Sequence, residues 1–190
     1  MNAMNQALSL ILSTAGHILL MLFWPRYLMQ LVQADFYNPI SQFVVRASAP
    51  VLNPLRQIMP KSRYWDFAAL LAIFLLQLLS MTLMALVNGQ GTLPPLLLVL
   101  SAVFQLMYMM TEFYFWLLIV SVVMSWISPG YSPFGALVHQ LAEPLLAPFR
   151  RLLPPMGGLD LSPIVAFLAI QVVQILLRTA SHQVFTASFG

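Results

Sequence analysis

Residues 38–66 occur a second time at 132–160, without a gap and with one constant offset of 94. Pro39, Pro50, Pro54 and Pro60 are matched by Pro133, Pro144, Pro148 and Pro154. Arg56 is matched by Arg150, Leu52 by Leu146, Val44 by Val138 and Asp66 by Asp160. Four prolines, an arginine and an aspartate at one shared offset mark an internal duplication. The chain must therefore fold as two copies of one unit, expected at 1–91 and 92–190.

The unit belongs in a membrane. The chain is 61% hydrophobic and 7% charged, where a soluble domain carries roughly 25% charged residues. Such a surface cannot face water. The formal charge of +3 is a property of loops, and no nucleic-acid partner is expected. The chain has no cysteine. That excludes disulfides, thiolate metal sites, c-type haem attachment and cysteine nucleophiles. No cofactor or metal is expected. No Lys or Arg precedes Arg26, so the first apolar run reads as a retained helix, not a signal peptide.

A hydrocarbon core of about 30 Å needs about 20 helical residues. Runs of that kind are predicted at 7–24, 67–87, 101–126 and 163–180. The expected fold is all-α and integral to the membrane, with about four transmembrane helices as two parallel repeats of two. In the first run Trp24 and Tyr27 read as interfacial aromatics, Arg26 as a snorkelling cation, and Pro25 as a kink or an end. His17 reads as a neutral imidazole bonded to a neighbouring helix. Asn88-Gly89-Gln90-Gly91 reads as a tight turn, and Leu93 to Trp126 as one long helix.

Between the spans of each half lies the repeated element, at 38–60 and 132–154. Asn38-Pro39 and Ser132-Pro133 are helix starts, a capping side chain followed by proline at the first helical position. Ile40, Phe43, Val44 and Ala47 predict an apolar face, and Phe134, Leu137, Val138 and Leu141 its counterpart. Pro50 and Pro144 are expected to end that helix. A second short helix would follow from Pro54 or Pro148 towards Pro60 or Pro154. Each element is thus a proline-broken pair, lying in the interface or dipping in as a re-entrant hairpin. Burying an arginine at the membrane centre costs about 2.5–3.5 kcal/mol, while an anionic surface attracts it by about 1 kcal/mol. The interface is favoured.

Asp66 and Asp160 stand just before a span and read as helix caps, with pairing to Arg56 and Arg150 as the alternative. Gln77 and Gln171, both mid-span, read as an interhelical amide bond repeated about a pseudo-two-fold axis, with a polar pathway as the alternative. Glu112 is the acid of the long helix, either interfacial or within the membrane. No catalytic set emerges. His139 with Glu143 is too common a spacing to count. Arg46, Arg56, Lys61, Arg63, Arg150 and Arg151 all fall in the repeated loops, so these are expected in the cytoplasm and the termini outside.

The pattern resembles the YggT family of small membrane proteins over nearly the whole chain. Asp35-Phe36-Tyr37-Asn38-Pro39, Phe43-Val44-Val45, Pro54-Leu55-Arg56 and Ser125-Trp126 carry the likeness. So do Glu143-Pro144-Leu145-Leu146-Ala147-Pro148-Phe149-Arg150-Arg151-Leu152-Leu153-Pro154 and Met156-Gly157-Gly158-Leu159-Asp160. The resemblance implies a bacterial inner membrane and a link to osmotic or salt stress. Plastid relatives imply cytochrome b6 maturation or nucleoid and division organisation. The functional expectation is a non-enzymatic scaffold, assembly or membrane-organising factor. Arg56, Arg150 and Arg151 would hold anionic headgroups or a membrane-protein partner, which could be a second copy of the chain. The rival is an ion or osmolyte pathway lined by Gln77, Gln171 and Glu112, with the repeated elements as re-entrant pore loops.

Overall fold

A computed structural model of the chain describes residues 3–89, 94–127, 132–152 and 160–189. Among them are six helices and no strand: α1 (Ala3–Leu31), α2 (Pro39–Ile58), α3 (Phe67–Val87), α4 (Pro95–Ile127), α5 (Pro133–Leu152) and α6 (Ser162–Phe189). Four are long and apolar enough to cross a membrane: α1, α3, α4 and Ser162–Gln183 of α6. Pro154, Gln90, Gly91 and the predicted boundary at 91–92 lie outside the described residues.

Pro39 and Pro133 open α2 and α5, and Ile58 and Leu152 close them at the same offset. Asn38 caps α2, its side chain accepting from the Ile40 amide at 2.9 Å. Ser132 caps α5 through its hydroxyl, which accepts from the Gly135 amide at 3.3 Å.

The predicted break inside each repeated element is absent. Pro50 and Pro54 lie within the unbroken α2, Pro144 and Pro148 within α5, and Pro25 within α1. Proline costs an isolated helix interior about 3 kcal/mol. Here Pro50, Pro54, Pro144 and Pro148 are all exposed, so the carbonyls they leave free sit on an outer face. The inner face continues through them: Ser41, Val44, Ser48 and Leu52 in α2, and Leu137, Val138, Leu141, Ala142 and Leu146 in α5, are buried. Tertiary packing of that face outweighs propensity.

The predicted apolar face of α2 is also turned. Val44 points in, but Phe43 is 66% exposed and Ala47 is exposed too. Their counterparts Leu137 and Leu141 are buried. The two repeated helices therefore cover themselves differently.

The core sits at the α2/α5 end. Phe23, Trp24, Arg26, Tyr27, Leu28 and Met29 are all buried, and a helix buried all round is wrapped by other elements. Ala69, Ala72 and Ile73 of α3, Leu117 and Leu118 of α4, Leu137–Leu146 of α5 and Ala166 and Ile170 of α6 complete the cluster. This corrects the interfacial reading of Trp24, Arg26 and Tyr27: the lower turns of α1 are the centre of the molecule. α1 ends at Leu31 and the chain turns at Gln33, whose φ of 55° is left-handed. The Ala34 amide reaches back to the Met29 carbonyl at 2.8 Å, a helix-ending motif. The opposite end is looser. Gly16 lets α1 approach α3 there: a Cβ at Gly16 would meet the Ser80 hydroxyl at 2.7 Å.

Candidate functional site at the base of the bundle

Each repeated helix is tied to the start of the next span by one carboxylate with divided duties. Asp66 Oδ1 accepts from the Ala69 amide at 3.1 Å, capping α3. Asp66 Oδ2 receives Arg56 at 2.5 Å and Arg26 at 3.2 Å. Asp160 divides in the same way. Its Oδ1 accepts from the Ser162 amide at 2.9 Å and from the Ser162 hydroxyl, and its Oδ2 receives Arg150 Nε at 2.9 Å. Capping and ion pairing, set apart as alternatives by the sequence, are both present.

The two latches differ in charge. Asp66 faces two arginines, one of them, Arg26, only 5% exposed. The Nε and Nη1 atoms of Arg26 are buried without a partner among the described residues, and its guanidinium lies 5.4 Å over the Phe36 ring. Arg150 instead faces two acids, Asp160 and Glu143, the latter at 2.5 Å. The first latch carries one positive charge in excess and the second one negative. Sequence reading missed Arg26 and Glu143 as members. Neither has a charged counterpart at the repeat offset, where Val120 and Ala49 stand. That mismatch was the available signal.

The second latch is the more exposed, with Arg150 at 37% and Asp160 at 45%. Desolvation alone would push Asp160 up and Arg150 down. The Ser162 and Arg150 bonds hold the Asp160 carboxyl below its ordinary value, and bonds to Asp160 and Glu143 hold Arg150 above its own. Arg151 is exposed and has no ion-pair partner among the described residues.

Beside the first latch lies a groove of about 190 Å³ lined by Arg56, Lys61, Ser62, Trp65 and Asp66. α1 holds its rim in place: Gln30 donates to the Ser62 carbonyl at 3.0 Å and Gln33 to the Arg63 carbonyl at 2.8 Å. Across the base, the Asn38 amide donates to the Pro133 carbonyl at 2.6 Å and Gln140 accepts from the Asp35 amide at 3.0 Å, joining α2 to α5.

The three polar residues of the spans are not brought together. Gln77 is 6% exposed inside the bundle, Gln171 is exposed on the outer face of α6, and Glu112 is half-buried on α4. The expected symmetric amide pair does not form, because α6 turns its amide away from the other helices. His17 bonds within its own helix, to the Ser13 carbonyl at 2.7 Å, and not to a neighbour.

Four apolar spans and two interleaved repeated helices tied down by arginine–aspartate latches define a multi-pass α-helical membrane protein. The chain belongs to the CCB3/YggT family, whose profile matches twice, at residues 5–87 and 100–181. It is 45% identical over 179 residues to the Uncharacterized protein PA0392 of Pseudomonas aeruginosa, covering 93% of this chain and 91% of that one. It is 37% identical over 173 residues to the Uncharacterized protein YggT of Escherichia coli (strain K12), covering 91% and 88%. A shorter match, 41% over 54 residues, reaches the YlmG homolog protein 2, chloroplastic, of Arabidopsis thaliana, covering 28% and 22%. No solved structure matches the chain.

Proposed function

We propose that the chain is a non-enzymatic membrane-organising protein that holds anionic lipid headgroups at the α2/α5 end, on the cytoplasmic side. The observation that carries this is the charge surplus of the first latch. Two arginines share the Asp66 carboxylate, and Lys61 adds a further cation to the groove beside them. A basic residue near an anionic surface is attracted by about 1 kcal/mol. Trp65 and Tyr64, both about half exposed, are residue types that settle at headgroup level. α2 fits an interfacial position. Phe43, Ala47, Pro50, Val51, Pro54 and Ile58 form an exposed apolar stripe, and Arg46, Asn53 and Gln57 an exposed polar one. Arg150 is neutralised by its two acids, which leaves Arg56 and Arg151 as the better headgroup contacts among the three arginines singled out by sequence.

The membrane link implied by family resemblance, tolerance of osmotic or salt stress, would follow from this grip on the lipid. Headgroup binding is tested by the lipid that copurifies. An Arg56→Gln, Lys61→Gln variant should lose enrichment of anionic over zwitterionic lipid. Replacing Arg56, Arg150 and Arg151 together without changing lipid or partner binding would overturn the reading. So would protein-dependent potassium flux in sealed liposomes.

A further inference from the structure

The end of the bundle opposite the latches holds a cavity of about 820 Å³ between α1, α3, α4 and α6. That size is within the range of small-ligand sites. Its lining includes His17, Gln77, Ser80, Gln105, Tyr108 and Arg178, and no acidic residue. Arg178 is the charged side chain there, and it donates to the Tyr108 hydroxyl while lying 4.8 Å over the Tyr108 ring.

Depth follows from the helices. Gln77 lies 11 residues before Asn88, about 16 Å at 1.5 Å per residue, and Tyr108 lies 13 residues after Pro95, about 20 Å. Asn88 and Leu98 are also in the lining. The lining thus reaches from Asn88 and Leu98 to a floor at the buried Gln77, with Arg178 exposed on the α6 side. Gly16, beside Ser80, sits at that floor and gives it width.

Gln77 is the telling residue. It is 94% buried and lines the cavity, and no hydrogen bond joins its amide to a described residue, so the amide meets the open space of the cavity. A buried polar group is ordinarily satisfied by a protein partner or an ordered molecule beside it. Gln171, its repeat counterpart, faces outwards, so no amide–amide bond satisfies it. An occupant explains it. The donors free in the lining include the Gln77 and Gln105 amides, the Ser80 and Tyr108 hydroxyls and the remaining guanidinium hydrogens of Arg178. Ser13 and Ser101 already donate to backbone carbonyls.

We propose that this cavity binds an anionic, oxygen-bearing group, a carboxylate or phosphate, on Arg178, Tyr108 and Gln77. Met81, Met84, Leu98 and Leu177 line the apolar remainder. The group can come from a small solute or from an anionic lipid. Glu112 lies one turn below Tyr108, outside the lining, and weakens the field at the floor without occupying it.

The chain has no native cysteine, so single cysteines report cleanly. Ala85→Cys marks the mouth and Ser80→Cys the floor. In phosphatidylcholine nanodiscs, an anionic water-soluble thiosulfonate should modify Ser80→Cys about tenfold faster than a cationic one, the low end of electrostatic steering into a charged cleft. Arg178→Gln should bring that ratio near one, Arg178→Lys should restore it, and Glu112→Gln should raise it. Inorganic phosphate or acetate protecting Ser80→Cys identifies a soluble anion. Protection in phosphatidylglycerol nanodiscs alone identifies the lipid. Equal rates, a cationic preference, or no labelling at Ser80→Cys while Ala85→Cys reacts would overturn the proposal. Should Arg178→Gln fail to fold, Gln77→Leu, which leaves the charge, should remove the phosphate or lipid protection and keep the charge preference. Unchanged protection would count against the site.

Discussion

Arg56 donates to one oxygen of Asp66 at 2.5 Å while the other oxygen of that carboxylate caps α3 at Ala69. One side chain therefore fixes where a span begins and where the preceding repeated helix ends. Asn is as good a cap as Asp, so Asp66→Asn removes the charge and leaves the cap. It strands Arg26, which is buried. Removing one partner of a buried pair costs about 3–5 kcal/mol. Asp160→Asn, at the exposed latch, should cost about 1 kcal/mol or less. Denaturant unfolding in mixed micelles checks the ranking, and equal losses would contradict it.

The second latch sets an acid limit. Asp160 is held below its ordinary value, so its contribution is complete above the unfolded value of about 3.9. It is lost as pH falls through the lower folded value. The thermal stability gap between the unaltered chain and Asp160→Asn should be flat from pH 5 to 7 and close below about pH 4. A gap that closes near pH 6 would contradict this.

Gly16 and Ser80 meet where α1 crosses α3. Gly16→Val overfills that contact and should cost about 1–3 kcal/mol. Gly16→Ala should be milder, because the atom in the way is a side-chain hydroxyl, and Ser80→Ala should relieve it. A double-mutant cycle measures the relief.

Asn38 serves two helices at once, capping α2 and bonding the Pro133 carbonyl that starts α5. Asn38→Ala should cost about 1–3 kcal/mol from the cap and the cross-helix bond together. Asn38→Ser should recover the cap alone. Unfolding of both variants separates the two parts.

How much was legible in the sequence follows from these particulars. The duplication located α2 and α5, and hydropathy located the four spans, because both signals repeat over many residues. The caps at Asn38, Ser132, Asp66 and Asp160 were legible because capping is local chemistry. The prolines misled: Pro50 and Pro144 read as stops, but burial of Leu52 and Leu146 beyond them holds the helices together. Which way an amide faces is set by neighbouring helices, so Gln77 and Gln171 looked alike and are not. Arg26 read as a lipid-facing anchor because nothing near it in sequence names Asp66, forty residues on.

The charge surplus at Arg26, Arg56 and Asp66, with Lys61, is the centre of the functional account, and Trp65 in the same groove is a reporter for it. Trp116 and Trp126 are exposed and can be replaced by phenylalanine, while Trp24 is buried from lipid. In that background, brominated phosphatidylglycerol should quench Trp65 several-fold more effectively than brominated phosphatidylcholine, and Arg56→Gln with Lys61→Gln should erase the difference. Equal quenching by the two lipids in the unaltered groove would contradict the account.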